Sequence, residues 1–377
     1  MKNLSFKFVL SVVFISFNSY SYCDKDICNV KKFPGSNAEK INRAIEEASL
    51  KRIKKVFLPN GNYWLRETIN FSQQSIDVEL VGESKNGVQL IGGPIIDENN
   101  CMSAIINVDR SGGFSSVNLK MKNFTINYAQ ARYHPVFKNG GCSSSGHGIR
   151  VGNGWNNGRL QIDNVDIIYT PGYGIGIQTS GQDLNANNVI LTNILIKKTG
   201  MDGLDTKAPD RGRNKNLTII NMFVDEIGYN DEGSAAALDI SYENFYIRDL
   251  KIKTAPMRSN PRGVSVNTGI RFRGGARSAR NGTVKNFHIK GANHAVFFEG
   301  KDSDLNDQIT MRNFAIEGYQ DTGIYLRGKG HSITHGCIEP TPGKAMVHLN
   351  HYNLDWNSIL LSFKQGLSGC HPTWIRF

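Results

Sequence analysis

Asp202, Asp205 and Lys207 fall within the run Gly200-Met-Asp-Gly-Leu-Asp-Thr-Lys207, two acids and a base separated by apolar Leu204 and small Thr206. In an extended strand successive side chains take opposite faces, so Asp205 and Lys207 project outward together while Leu204 and Thr206 turn in. Carboxyls and an amine on one face can move protons or hold a cation. Which of these they do depends on what the neighbouring segments place beside them.

Internal repeats supply those neighbours. One recurring unit is a strand with Asn or Asp near its centre, marked by Asn123, Asn164, Asn193, Asn221, Asp249, Asn286 and Asn313, at intervals of 41, 29, 28, 28, 37 and 27 residues. Asn adopts turn conformations readily, and stacked Asn side chains can bond from one coil to the next. The same reading covers Asn123, Asn216 and Asn281, which also match glycosylation sequons. A second unit alternates with the first: Gly148-Ile-Arg-Val, Gly174-Ile-Gly-Ile, Gly203-Leu-Asp-Thr, Ala237-Leu-Asp-Ile, Gly269-Ile-Arg-Phe, Ala295-Val-Phe-Phe and Gly323-Ile-Tyr-Leu. Two strand types recurring about every 28 residues, with no helical period between them, predict an all-β solenoid of stacked parallel strands.

Stacking places one residue of each coil in a shared outward column. Aligned on the second unit, that column reads Arg150, Gly176, Asp205, Asp239, Arg271, Phe297, Tyr325. Two positions on it reads Gly152, Gln178, Lys207, Ser241, Arg273, Glu299, Arg327, and the residues preceding each Gly or Ala include His147, Tyr173, Asp202 and His294. Asp202, Asp205, Lys207, Asp239, Arg271 and Arg273 are therefore expected in one patch, with room left by Gly176 and Ser241. A solenoid face carries salt-bridge ladders in any case. Acids on adjacent coils, however, repel unless a cation or a function compensates them.

The bulk properties set the context. Lys2 and Lys7, the apolar run Phe8 to Phe17 and Ser19-Tyr-Ser21 read as a secretory signal over residues 1–21, too short to span a bilayer. A lipid-anchored alternative would acylate Cys23, but Tyr22 stands where a small residue is expected. The expected location is secreted or periplasmic, without stable membrane insertion. Residues 22–377 are expected to form a single domain, with an N-terminal cap over about 33–60, coils over about 61–340 and a C-terminal cap over 341–377. Six cysteines suggest disulfides, with nearest-neighbour pairing 23–28, 101–142 and 337–370 expected, and none has zinc spacing. Removing Lys2 and Lys7 lowers the formal charge from +11 to +9, which favours acidic partners. With a secretory signal, that partner is an anionic polysaccharide rather than nucleic acid. Ser36-Asn-Ala-Glu39 reads as a capping box opening a helix with Ala38, Ile41, Ala44, Ile45 and Ala48 on one face.

After that helix, Val56-Phe-Leu-Pro-Asn-Gly-Asn-Tyr63 and Ile76-Asp-Val-Glu-Leu-Val-Gly-Glu83 resemble the opening strands of pectate-lyase-like proteins. The resemblance implies a right-handed parallel β-helix over roughly residues 30–340, its first coil closed by the helix. Asp202-Gly-Leu-Asp-Thr-Lys207 also resembles the D-G-F-A-A-K segment of pectate lyases that use a lysine base, with Leu204 and Asp205 as departures. That implies Lys207 as base and Asp202 as a calcium ligand.

β-Elimination from a uronate polymer needs a neutralised sugar carboxylate, a base for the C5 proton and help for the leaving oxygen. The expectation placed first is such a lyase, with Lys207, Asp205, Asp239 and Arg271 catalytic. Arg273, Arg150, His147, Tyr173 and Tyr325 would then bind substrate, and Asp202, Asp205 and Asp239 would hold Ca²⁺. Placed second is a hydrolase, because Met201-Asp-Gly-Leu-Asp205 is similar to the N-T-D-G-I-D segment of polygalacturonases. This implies Asp202 or Asp205 as acid, with Asp239 supplying the second carboxylate. A non-catalytic glycan-binding solenoid is the third reading. Which sugar, and which oligomeric state, the sequence leaves open.

Overall fold

A computed structural model describes residues 22–92, 102–128, 146–179, 185–208, 214–228, 235–254, 267–274, 278–299, 306–341, 347–354 and 360–365. Residues 1–21, read as the signal segment, and Tyr133, His134 and Arg277 lie outside these residues. The described strands form two sheets of parallel strands, one of 14 and one of 10, and the chain passes from one to the other in each coil. This is a parallel β-helix, as the repeats predict.

Seven strands of the larger sheet bend at the recurring Asn or Asp. Those positions, Asn123, Asn164, Asn193, Asn221, Asp249, Asn286 and Asn313, all have φ between 53° and 61°, the left-handed region that Asn tolerates best among residues with a side chain. Pairing skips the corner, running Lys122↔Asp163 and then Phe124↔Val165, so each long strand has two arms. Side chains bond along the row: Asn164 to Asn123 at 2.9 Å, Asn221 to Asn193 at 2.8 Å and Asn313 to Asn286 at 3.2 Å. Asn193 breaks the row and donates instead to Asp163. A second left-handed row, Asn188, Asn216, Asn244, Asn281 and Gln308, was not anticipated. Asn216 donates to Asn188 within it at 2.8 Å.

Alternate residues of both sheets point inward and merge into one hydrophobic cluster from Cys28 to Ile338. Full burial of each Ile, Leu or Phe contributes about 1.5–3 kcal/mol, and the column Leu119, Leu160, Val189, Leu217, Phe245 is buried throughout. Phe245 lies against Gly282, where a β-carbon would overlap its ring.

The helix Asn37–Lys51 forms with both capping-box bonds present, and its buried face is Ala38, Ile41, Ala44, Ile45 and Ala48. It packs on the first strands of the solenoid. Parallel pairing begins at Ile27 and runs to Gln365, beyond the expected coil limits of 61 and 340 at both ends. Strand Val347–Leu354 joins its ladder without the leading Gly or Ala of its unit, and Leu360–Gln365 joins without a central Asn, which is why the pattern fades there. Cys23 and Cys28 form a disulfide, so that thiol is not open to acylation. Cys337 is also disulfide-bonded. Cys101, Cys142 and Cys370 are outside the described residues.

Candidate active site

The outward column has the register read from the repeats. Arg150 pairs with Gly176, Gly176 with Asp205, Asp205 with Asp239, Asp239 with Arg271, Arg271 with Phe297, and Phe297 with Tyr325. The three aspartates converge: one oxygen each of Asp202, Asp205 and Asp239 lies within 4.8 Å of the others. They are buried rather than displayed, with side-chain exposures of 5, 2 and 0%. The alternation of the strand did not reveal this.

The partners divide the three. Asp239 is held by both arginines. Arg271 Nε donates to its Oδ2 at 2.9 Å and Arg273 Nε to its Oδ1 at 2.9 Å, with a second guanidinium nitrogen of each also on Oδ2. Asp202 Oδ1 accepts the Ala236 backbone N–H at 2.6 Å, and its Oδ2 lies 3.5 Å from Arg271 Nη2. Asp205 Oδ2 accepts from the Gln178 amide. Asp205 Oδ1 is buried without a hydrogen-bond partner, its nearest guanidinium nitrogen being Arg273 Nη2 at 3.8 Å.

These environments separate the groups electrostatically. Burial, then the charge of Asp239, pushes Asp205 up to about 6. Burial, then the charge of Asp205, lifts Asp202 well above the usual carboxylate range. Burial works against charge on Arg271, but Asp239 and Asp202 outweigh it and raise its pKa. The Asp202–Asp205 pair therefore holds a proton at pH values where ordinary carboxylates have lost theirs, while the arginines stay cationic.

Lys207 is the exposed residue of strand Leu204–Lys207 and makes no ion pair among the described residues. Thr206 turns inward as expected and is a strut. Its Oγ1 donates to the Asp239 carbonyl at 2.8 Å and accepts the Ser241 N–H at 2.9 Å, tying the two aspartate strands together.

The remaining candidates fall on either side. Tyr173 stacks on His147 with centroids 4.9 Å apart, and its backbone N–H donates to His147 Nδ1 at 3.0 Å. Burial, helped by Arg150, holds His147 down to about 4. The space expected at Gly176 is filled by Tyr173, whose ring a β-carbon there would meet at 3.2 Å. The Tyr173 hydroxyl meets Gln178, and burial followed by the Asp205 charge raises its pKa. Gln178 thus joins Asp205 to Tyr173, a link that sequence reasoning placed in a column without giving it a role. Arg150 turns the other way, to Asp109 at 3.2 Å and Asn107 at 3.4 Å, and does not join the aspartates. Tyr325 stacks on Phe297 at 4.9 Å and accepts from Arg327, which leaves less of its ring to meet a sugar.

The donor set does not fit calcium as it stands. Calcium takes six to eight oxygens. Here both Asp239 oxygens carry arginine, Asp202 Oδ1 carries an amide, and Asp205 Oδ1 alone among the three carboxylates lacks a partner. Two guanidinium groups already supply the compensating charge.

No family model matches the chain, and no curated protein matches it in sequence. Solved structures do match in shape. The DFA-IIIase from Arthrobacter chlorophenolicus A6 aligns over 89% of this chain and 88% of its own, at 12% identity and TM-score 0.50. The Dettilon tailspike protein aligns over 86% of this chain and 59% of its own, at 12% identity and TM-score 0.50. The structure described as Geobacillus virus E2 ORF18 is 9% identical at TM-score 0.48, and this chain spans 61% of its length. The shared feature is the fold, a parallel β-helix. Among the described residues no helix is long and apolar enough to cross a membrane.

Proposed function

We propose that the protein is a secreted polysaccharide-processing enzyme that cleaves a glycosidic bond by carboxyl acid–base catalysis. One observation carries the reading: buried Asp205, raised to about 6, keeps an oxygen without a hydrogen bond beside a second buried carboxyl, Asp202, with which it shares a proton. Two carboxyl groups across a glycosidic bond are the general requirement for its hydrolysis. Asp205 gives its proton to the glycosidic oxygen as the bond from that oxygen to the anomeric carbon breaks. Asp202, ionised in that step and with an oxygen within 4.8 Å of Asp205, bonds to the anomeric carbon as a closely spaced carboxylate pair does. Water then displaces Asp202 from that carbon and gives its proton to Asp205. Asp239 is a positioning residue that fixes Arg271 and Arg273, and the arginines are the cationic contacts for an acidic sugar.

The DFA-IIIase likeness is consistent with sugar chemistry on this fold, although a shared fold alone assigns no reaction. The helix Asn37–Lys51 is read as a cap over the first coil. Residues 22–377 are read as one domain behind a cleaved signal, and the binding of an anionic polymer follows from the basic charge.

Elimination, the reading favoured from sequence, keeps one specific support: Lys207 is exposed on the strand of Asp205 and makes no ion pair among the described residues. It ranks second because a lysine base works best when desolvated, and because calcium does not fit the aspartates as they are held.

The test is to incubate the protein with acidic and neutral polysaccharides, following reducing ends and the ultraviolet absorbance of unsaturated ends together. Reducing ends without absorbance, lost in Asp205→Asn, support hydrolysis. Absorbance lost in Lys207→Ala establishes elimination.

A further inference from the structure

One charged column on this solenoid alternates in sign. Lys215, Glu243, Arg280, Asp307 and Lys329 follow one another on five successive rungs of the larger sheet, each opposite its neighbour. Like charges meet elsewhere in this sheet as single pairs, Lys253 with Lys290 and Glu317 with Glu339, but in one column three cations follow one another: Arg248 pairs with Lys285, and Lys285 with Arg312. Neighbouring strands lie about 4.8 Å apart, and like charges directly opposite destabilise a sheet. Arg248 Nε has Asp249 at 3.0 Å, and Lys285 Nζ lies 5.2 Å from the centre of the Tyr246 ring. Neither Lys285 nor Arg312 has an ion-pair partner among the described residues, and Arg312 is exposed.

The column beside it has a different character. Two residues back along each strand stand Tyr246, Thr283, Thr310 and Ser332, mutually opposite and partly exposed. A strip of cations therefore runs parallel to a strip of hydroxyls along the solenoid axis. The cation strip ends at Ile220 on one side and Thr334 on the other.

We propose that this double strip is a binding surface for an acidic polysaccharide, separate from the aspartate cluster on the other sheet. Anionic groups along the polymer would meet Arg248, Lys285 and Arg312 in turn, and the hydroxyl strip would exchange hydrogen bonds with sugar hydroxyls. A single-stranded nucleic acid fits less well, because such sites interleave aromatic platforms for bases. Here the one aromatic, Tyr246, is already covered by Lys285. The repulsion left among these cations in the free protein is relieved when the polymer binds, and binding should weaken steeply with salt.

The test uses the whole mature protein on polygalacturonate-agarose and heparin-agarose at low salt. The wild type should be retained on at least one of them and eluted by salt. Lys285→Glu with Arg312→Glu should bind about tenfold or more weakly. Lys215→Glu with Lys329→Glu, the same charge change on the alternating column, should bind within about twofold of wild type. The readout is retention and not turnover, so this surface can stand if the catalytic reading fails. No retention of the wild type, equal weakening in both double variants, or tighter binding to single-stranded DNA than to either polysaccharide would each overturn the proposal. Circular dichroism of both double variants guards against unfolding as the cause.

Discussion

Asp205 and Asp239 are direct partners on adjacent parallel strands, both buried, yet only Asp239 is bonded by guanidinium groups. Two like residues in one column thus have opposite fates. Asp239 is a fixed anion inside an arginine clamp, while Asp205 is left with Gln178 on one oxygen and no hydrogen bond on the other, Arg273 standing 3.8 Å away. The proposed division of labour rests on that asymmetry.

The clamp should be a stability element. Arg271→Met leaves the buried Asp239 charge only partly compensated, and losing one partner of a buried pair costs about 3–5 kcal/mol. Denaturant unfolding should register a loss of that size. The double variant Arg271→Met with Asp239→Asn should recover part of it, because the stranded charge is gone.

Asp205 and His147 should move stability with pH in opposite directions. Asp205 rises from 3.8 to about 6 on folding, so the folded state binds more protons in that interval. Its contribution is full below 3.8 and is lost as pH rises through 6. His147 falls from 6.5 to about 4, so its contribution is full above 6.5 and is lost as pH falls through 4. Melting temperatures across pH 3 to 8 should show Asp205→Asn flattening the first trend and His147→Gln the second.

Activity should follow the proton on Asp205. If that carboxyl delivers the proton, turnover declines as pH rises above about 6. Gln178 donates to Asp205, which favours the ionised form. Gln178→Leu should therefore shift the alkaline limb to higher pH, as a pH–rate profile would reveal.

The corner row can be tested at Asn221, which has φ 55° and donates to Asn193 at 2.8 Å. Asn221→Ala loses the left-handed tolerance and the bond, for about 1–2 kcal/mol. Asn221→Gly keeps the backbone conformation and should cost less. Chemical denaturation of the two variants separates the contributions.

Much of the fold was legible because a solenoid writes its geometry as a period. The Asn positions marked the corners, and the Gly- or Ala-led units fixed the register of the aspartate column residue by residue. The gathering of Asp202, Asp205, Asp239, Arg271 and Arg273 followed from that register alone. Burial did not, since strand alternation separates faces but says nothing of what covers the outward one. Nor did the partner of each charge: Arg150 and Arg271 share a column, yet Arg150 turns to Asp109 and Arg271 to Asp239. The second left-handed row was missed because Asn188, Asn216 and Asn281 read equally well as ordinary loop residues or sequons.

The most direct measurement is product analysis of wild type, Asp205→Asn and Lys207→Ala on a panel of acidic and neutral polysaccharides, with reducing ends and unsaturated ends counted in the same reaction. The expected result is reducing ends without ultraviolet absorbance, cut about 10²- to 10⁴-fold in Asp205→Asn and little changed in Lys207→Ala. Unsaturated ends that vanish in Lys207→Ala, or full activity in Asp205→Asn, would contradict a carboxyl-centred hydrolase.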